Sequence, residues 1–187
     1  MSPLLSKLKK NCLDTCGQST VEFAFIIPVL FIFFYAVLEF SHLFIEQQRV
    51  SALSRETTNA VFRDCSSQNP ANLNACIQPI LDELRDKATN ILPGFDSSGN
   101  LIVSLYVPDT VAGGDPPPVK SLTPPKKTGG GNAVTRYTAG DLDPRIVSDL
   151  GVVVIGEAFY PYSPLTPIKQ LISLLSLPGV LYENTIY

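Results

Sequence analysis

Tryptophan is absent from this 187-residue chain and His42 is its single histidine. Both scarcities thin the catalytic options, because a nucleophile needs a base and an orienting group within reach. The phosphate-cradling and dinucleotide glycine motifs are missing, and so is the G-x-S-x-G nucleophile elbow. Charge of one sign is lacking too. Fourteen Lys and Arg stand against seventeen Asp and Glu, a net charge of -3. No basic stripe is left to neutralise phosphates, which excludes a general nucleic-acid binder. The spacing of Cys12 and Cys16 suggests metal binding only weakly, because a zinc centre takes four ligands. Cys12 and Cys16 have only His42 to recruit, and it lies beyond the apolar run, so both read as incidental. Asp115, Asp141, Asp143 and Asp149 do not have EF-hand spacing and read as turn caps. The chain is therefore expected to hold no metal and no cofactor and to catalyse nothing.

A long hydrophobic run is present. Phe23 to Leu38 carries no charge, and apolar residues resume after Glu39 as Phe40, Leu43, Phe44 and Ile45. A hydrocarbon core about 30 Å thick takes roughly 20 helical residues, so the stretch to Ile45 suffices for one crossing. Glu39, Ser41 and His42 then fall near the outer end, where they are expected to reach water; His42 reads as an interfacial residue. Lys7, Lys9 and Lys10 precede the run, while Arg49, Arg55 and Arg63 follow it. The positive-inside count is thus a tie, and proximity favours keeping the lysine-bearing end in the cytoplasm. Cys65 and Cys76 lie on the exported side. Their spacing suits a disulfide in an oxidising compartment, stabilising by roughly 3 kcal/mol on the loop-entropy argument. Two unpaired thiols are the other reading.

Downstream, a helical register continues. Leu43, Val50, Leu53 and Ala60 line one face, with Glu46, Arg49, Arg55 and Glu56 mostly elsewhere, so one helix is expected from about Ser19 to Asp64. Pro28 would kink it or be accommodated by packing. A second helix is expected over about 71–90, with a stripe of Leu73, Cys76, Ile77, Ile80, Leu81 and Leu84. "LIVSLYV" (101–107) reads as a strand. Pro and Gly dominate 108–131, which reads as an extended, mobile loop, an insertion tolerated between strands rather than a contact loop. Residues 151–160 read as a buried central strand. "SPLTPIKQLISLLSL" reads as a short amphipathic helix with Ile168, Leu171, Leu174 and Leu175 on its face, and "GVLYENTIY" as a last strand. The fold class is α+β: a long N-terminal helix, transmembrane and then amphipathic, carrying a small exported domain with an irregular Pro/Gly-rich loop.

The head of the run, "CGQSTVEF", holds a carboxylate that costs about 2.5–3.5 kcal/mol if it is drawn to the middle of a bilayer. Ser19 and Glu22 have the S-x-x-E spacing of a capping box, which accounts for Glu22 as a local helix start. A second account uses more residues. A basic leader, Gly17, four residues, Glu22 and then Phe23 opening the apolar run resemble the type IV prepilin processing site. "GQSTVEFAFIIPVLFIFFYAVLEFSHLF" is closer still to the TadE-like pseudopilins of the Tad (Flp) pilus system. There a glycine, four residues and Glu-Phe are followed by a proline inside the span and an acidic–aromatic pair near its end. Pro28 and the pair Glu39 and Phe40 fit. "VVVIGEAFYPYSPLTPI" is similar to the ending of such chains, whereas the proline-rich middle matches nothing in them.

The resemblance implies a minor pilin or pseudopilin taking part in Tad pilus assembly, secretion and surface adhesion. A prepilin peptidase would cut between Gly17 and Gln18, leaving Glu22 to pair with the new α-ammonium of a neighbouring subunit and set register with Phe23. The implied organisation is a cytoplasmic leader (1–17), a transmembrane helix (18–45), a periplasmic helical region with the first strand (46–107), the loop (108–131) and a strand–helix–strand part (132–187). The implied location is the bacterial inner membrane, single-pass, with passage into a surface pilus. Partners would be the peptidase, other minor pilins, Tad inner-membrane assembly proteins and the lipid bilayer. The alternative is an uncleaved, single-pass anchored periplasmic binding or adhesive domain.

Overall fold

The computed structural model describes residues 3–69, 72–165 and 178–187, with residues 3–19 as backbone only. Helix α1 runs without interruption over Pro3–Cys65. It starts well before Ser19, so Ser19 and Glu22 sit in its interior rather than at a helix start. The physical reason is that leader residues such as Leu4, Leu5, Lys7 and Lys9 are good helix formers and no proline falls between Pro3 and Pro28. At Pro28 the helix gives up one backbone bond and continues.

Helix α2 covers Leu73–Ile91, burying Leu73, Ile77, Leu81, Leu84 and Ala88 at helical spacing. A disulfide joins Cys65 at the end of α1 to Cys76 in the first turns of α2, with a Cα separation of 5.9 Å. A single turn, α3 (Phe95–Ser98), plugs Phe95 into the core. Strand β1 (Asn100–Pro108) follows, then two three-residue strands, β2 (Val119–Ser121) and β3 (Lys126–Thr128). A short 3-10 turn at Ala139–Asp141 and helix α4 (Pro144–Leu150) lead into β4 (Val153–Pro161), and β5 (Val180–Ile186) closes the sheet. All pairings are antiparallel, in the order β2-β1-β4-β5, with β3 also on the outer edge of β1. β4 is central and buried over almost its whole length, as its apolar start suggests. The amphipathic helix expected after Pro164 lies outside the described residues.

The sheet separates two cores. Leu101, Val103 and Leu105 of β1 alternate with the opposite face and join Val154, Ala158 and Tyr160 of β4 under α1 and α2. Tyr106, Val153 and Ile155 point the other way, against Val147 of α4, with Val119, Tyr137 and Leu142 packed around them. Two turns on that side are capped by acids. Asp141 closes a capping box with Thr138, and Asp143 accepts from the Arg145 N–H ahead of Pro144.

The Pro/Gly-rich stretch departs from the expected loose loop. It is irregular for much of its length, yet β2 and β3 add to β1, and Asp109 holds Lys120 across the turn at 2.8 Å. Its Gly129, at φ +102°, lies so near α3 that a Cβ there would come within 2.2 Å of the Gly99 carbonyl oxygen. The glycines bring backbone against backbone; they do not loosen the segment here.

Candidate assembly and membrane interface

The outward-facing part of α1 is apolar on all sides. From Val21 to Leu38 every side chain is exposed except those of Ile27 and Ala36, which are half-buried, and the exposed set includes Phe23, Phe25, Phe31, Phe33 and Phe34. A water-facing helix would confine such residues to one stripe. Thr20–Cys65 is the one helix among the described residues that is long and apolar enough to cross a membrane. Glu22 and Phe23 lie on this exposed surface near its beginning, and Gly17 and Gln18 lie in the helical backbone just before.

At Glu39 the surroundings change within one turn. Glu39 was expected to reach water; it is instead fully buried. The Tyr162 hydroxyl donates to its Oε1, and the Leu165 N–H donates to the same oxygen at 3.2 Å. The chain just past β4 thus folds over this carboxyl group and supplies it with donors, as a buried polar group requires. Tyr162 is held protonated, its pKa pushed up by burial and then by donation to the Glu39 carboxylate. Phe40, the neighbour of Glu39, stays exposed on the other side of the helix, and so does Ser41.

One turn further, His42 Nε2 lies 3.3 Å from Glu46 Oε1, with the His42 ring tilted 6.0 Å from that of Tyr162. Glu46 is buried as well. Its pKa is raised chiefly by that burial and additionally by Glu39, against the opposing pull of His42 and Arg49. Gln47 donates to Glu183 Oε2 at 3.1 Å and Arg49 to the Ile91 carbonyl at 2.9 Å, tying α1 to β5 and to the end of α2. Below them Val50 and Leu53 pack into the core with Leu43. Ser54 Oγ donates to the Gly156 carbonyl at 2.9 Å. The smaller domain therefore lies along α1 from Glu39 onward; it does not hang from the helix end.

A third buried carboxylate, Glu157 of β4, was not singled out from the sequence. It points to the face away from α1, where Thr135 Oγ1, the Arg136 N–H (3.0 Å) and the Tyr182 hydroxyl (3.0 Å) all reach it. The Arg136 guanidinium lies 3.9 Å from the Tyr182 ring centroid and 5.6 Å from that of Phe159, a cation–π stack. Tyr182 is pushed up to about 12, mainly by burial, with the bond to Glu157 adding to the shift and that to Asn184 opposing it. The signal for this site is the acid inside "VVVIGEAFY": a carboxylate in a buried strand has to be met by donors.

Residues 17–58 match the family of TadE-like proteins. No curated protein and no solved structure matches the chain. The TadE-like segment spans the exposed apolar run, the Glu39 and His42–Glu46 junction, and α1 as far as Thr58 on the sheet. It stops short of the disulfide and of every strand. Of the residues singled out for assembly, Gly17, Gln18, Glu22, Phe23, Pro28, Glu39 and Phe40 lie within it, but the structure puts them to different uses. Only Glu39 is engaged by the domain through contacts described above; Glu22, Phe23, Pro28 and Phe40 remain on the outer surface of α1.

Proposed function

We propose that this chain is a minor pilin or pseudopilin of a Tad (Flp) pilus, a non-catalytic component anchored in the bacterial inner membrane by α1 with its domain in the periplasm. A prepilin peptidase removes residues 1–17 by cutting between Gly17 and Gln18. The new α-ammonium then meets Glu22 of a neighbouring helix, an ion pair strengthened by low dielectric. The observation that carries this reading is the exposure of apolar side chains all round α1 between Val21 and Leu38, within the segment that matches TadE-like proteins. Such a surface is satisfied by lipid while the subunit waits and by like helices once it assembles. Other minor pilins and the Tad inner-membrane proteins are the partners of this helix, and the resulting fibre serves secretion and adhesion.

The uncleaved anchored domain is the competing reading, and one feature favours it: α1 is helical straight through Gly17 and Gln18. A peptidase must unwind that turn, which glycine eases by about 1 kcal/mol relative to alanine. Intact mass of the membrane-extracted protein, from hosts with and without the peptidase, separates the two. Loss of residues 1–17 only where the peptidase is present supports processing. Retention in both hosts rules it out.

A further inference from the structure

Thr20 to Leu38 forms a helix about 28 Å long at 1.5 Å per residue, close to the thickness of a hydrocarbon core. The next residue, Glu39, is where the domain begins to cover α1, and what covers it is the Tyr162–Leu165 turn at the end of β4. That turn is therefore held at the level of the last lipid-length turn of the helix. Two further pairs of contacts fix its direction. Ser54 of α1 meets Gly156 of β4, and Phe62 of α1 lies against Tyr187, whose backbone pairs with Val154. β4 thus runs antiparallel to α1, and its end points toward the apolar run.

The groups displayed at this level are apolar. Leu165 is 62% exposed, and Val180, cross-strand from Pro161, is 51% exposed. On the uncovered side of α1, Phe44 and Ile45 are 62% and 48% exposed. Arg136, stacked on Phe159, lies three strand residues farther out than Tyr162, about 10 Å at 3.3 Å per residue. That puts a fixed cation at the outer side of a headgroup layer. We infer that the β4–β5 end of the exported domain, through Leu165 and Val180, beds in the bilayer surface beside α1. The protein then has a second lipid contact besides its span. This contact is continuous with the membrane helix and rests on the reading of α1 as a membrane anchor. It fixes the orientation of the domain, laying the sheet upright on the membrane with Val111 and the β1–β2 turn at the far end.

The absence of tryptophan makes a clean test. Single-tryptophan variants of the full chain, Leu165→Trp, Phe31→Trp and Val111→Trp, are reconstituted in phosphatidylethanolamine–phosphatidylglycerol vesicles. The acyl chains carry bromine either near the headgroup or near the chain terminus. Val180→Trp repeats the measurement should the first variant fold poorly. Phe31→Trp should be quenched by the deep bromine and Val111→Trp, at a site 89% exposed, by neither. Leu165→Trp should emit at shorter wavelength than Val111→Trp and be quenched most by the shallow bromine. Quenching at Phe31 with Leu165 behaving like Val111 overturns the inference and leaves the anchor standing. No quenching at Phe31 removes the anchor and the inference with it. Shielding of Leu165 from both bromines and from aqueous iodide assigns that face to another protein copy and also overturns it.

Discussion

Thr58 Oγ1 occupies the space where a side chain on Gly156 would begin: a Cβ built at Gly156 falls 2.1 Å from it. The Ser54 carbonyl oxygen is 3.2 Å from the same point, so the obstacle includes helix backbone. This contact is where α1 crosses the central strand, and glycine permits the approach. Gly156→Ala should destabilise the domain by about 1–3 kcal/mol, the usual range for overpacking a filled site. Thr58→Ala in the same chain removes the nearest atom. The double variant should then be more stable than the two single effects added together, which thermal unfolding in detergent would measure.

Glu39 and Tyr162 are 123 residues apart in sequence, and their bond fastens the domain to the end of the apolar helix. Tyr162→Phe removes one of the donors to a buried carboxylate and should cost about 1–3 kcal/mol. Glu39→Gln keeps an acceptor for both Tyr162 and the Leu165 N–H and should cost less than Glu39→Ala, which leaves both donors without it. Proteolysis at the 161–165 turn offers a local readout. Faster cutting in Tyr162→Phe, with the sheet core still protected, is the expected pattern. Equal rates in wild type and variant would refute a fastening role.

Where a pattern repeats with one period, the sequence already carried the element. Leu73, Ile77, Leu81 and Leu84 mark α2, and the β-branched runs mark β1 and β4. The candidate site was legible to the same depth: the apolar run and the Cys65–Cys76 pair are local features. β2 and β3 were not, because three residues hold too little periodicity to register against a background of Pro and Gly. Gly129 and its neighbours carry the composition of a flexible linker, yet serve close packing; only the partner at Gly99 distinguishes the two. Glu39 was misplaced for a related reason. Helical spacing assigns a residue to a face, but whether that face meets water or a distant tyrosine depends on the tertiary fold.

Reduction of the Cys65–Cys76 disulfide frees α2 from the end of α1. The bridge spans a short loop, which on the chain-entropy argument corresponds to roughly 3 kcal/mol. A Cys65→Ser, Cys76→Ser double variant should therefore melt lower than the oxidised protein and should match the reduced wild type. If reduction lowered the melting temperature of the double variant as well, the effect would have to come from elsewhere in the chain.

Glu46 sets a pH dependence whose sign follows from burial. Its pKa is higher in the folded chain than the ordinary 4.5, so the native state holds the proton more tightly than the unfolded one. The buried carboxylate then weighs against folding wherever it must be charged, above its raised pKa. That penalty fades as pH falls through the raised value toward 4.5 and is gone below it. The groups facing it are Glu39, which adds to the penalty, and His42 and Arg49, which reduce it, with Tyr160 close enough to feel its charge. Glu46→Gln has nothing to ionise, so it should be more stable than wild type at neutral pH. The difference should shrink steadily toward pH 4.5. Unfolding midpoints of the two proteins across that window check both the sign and the convergence, and a constant difference would show that the gain comes from packing rather than from charge.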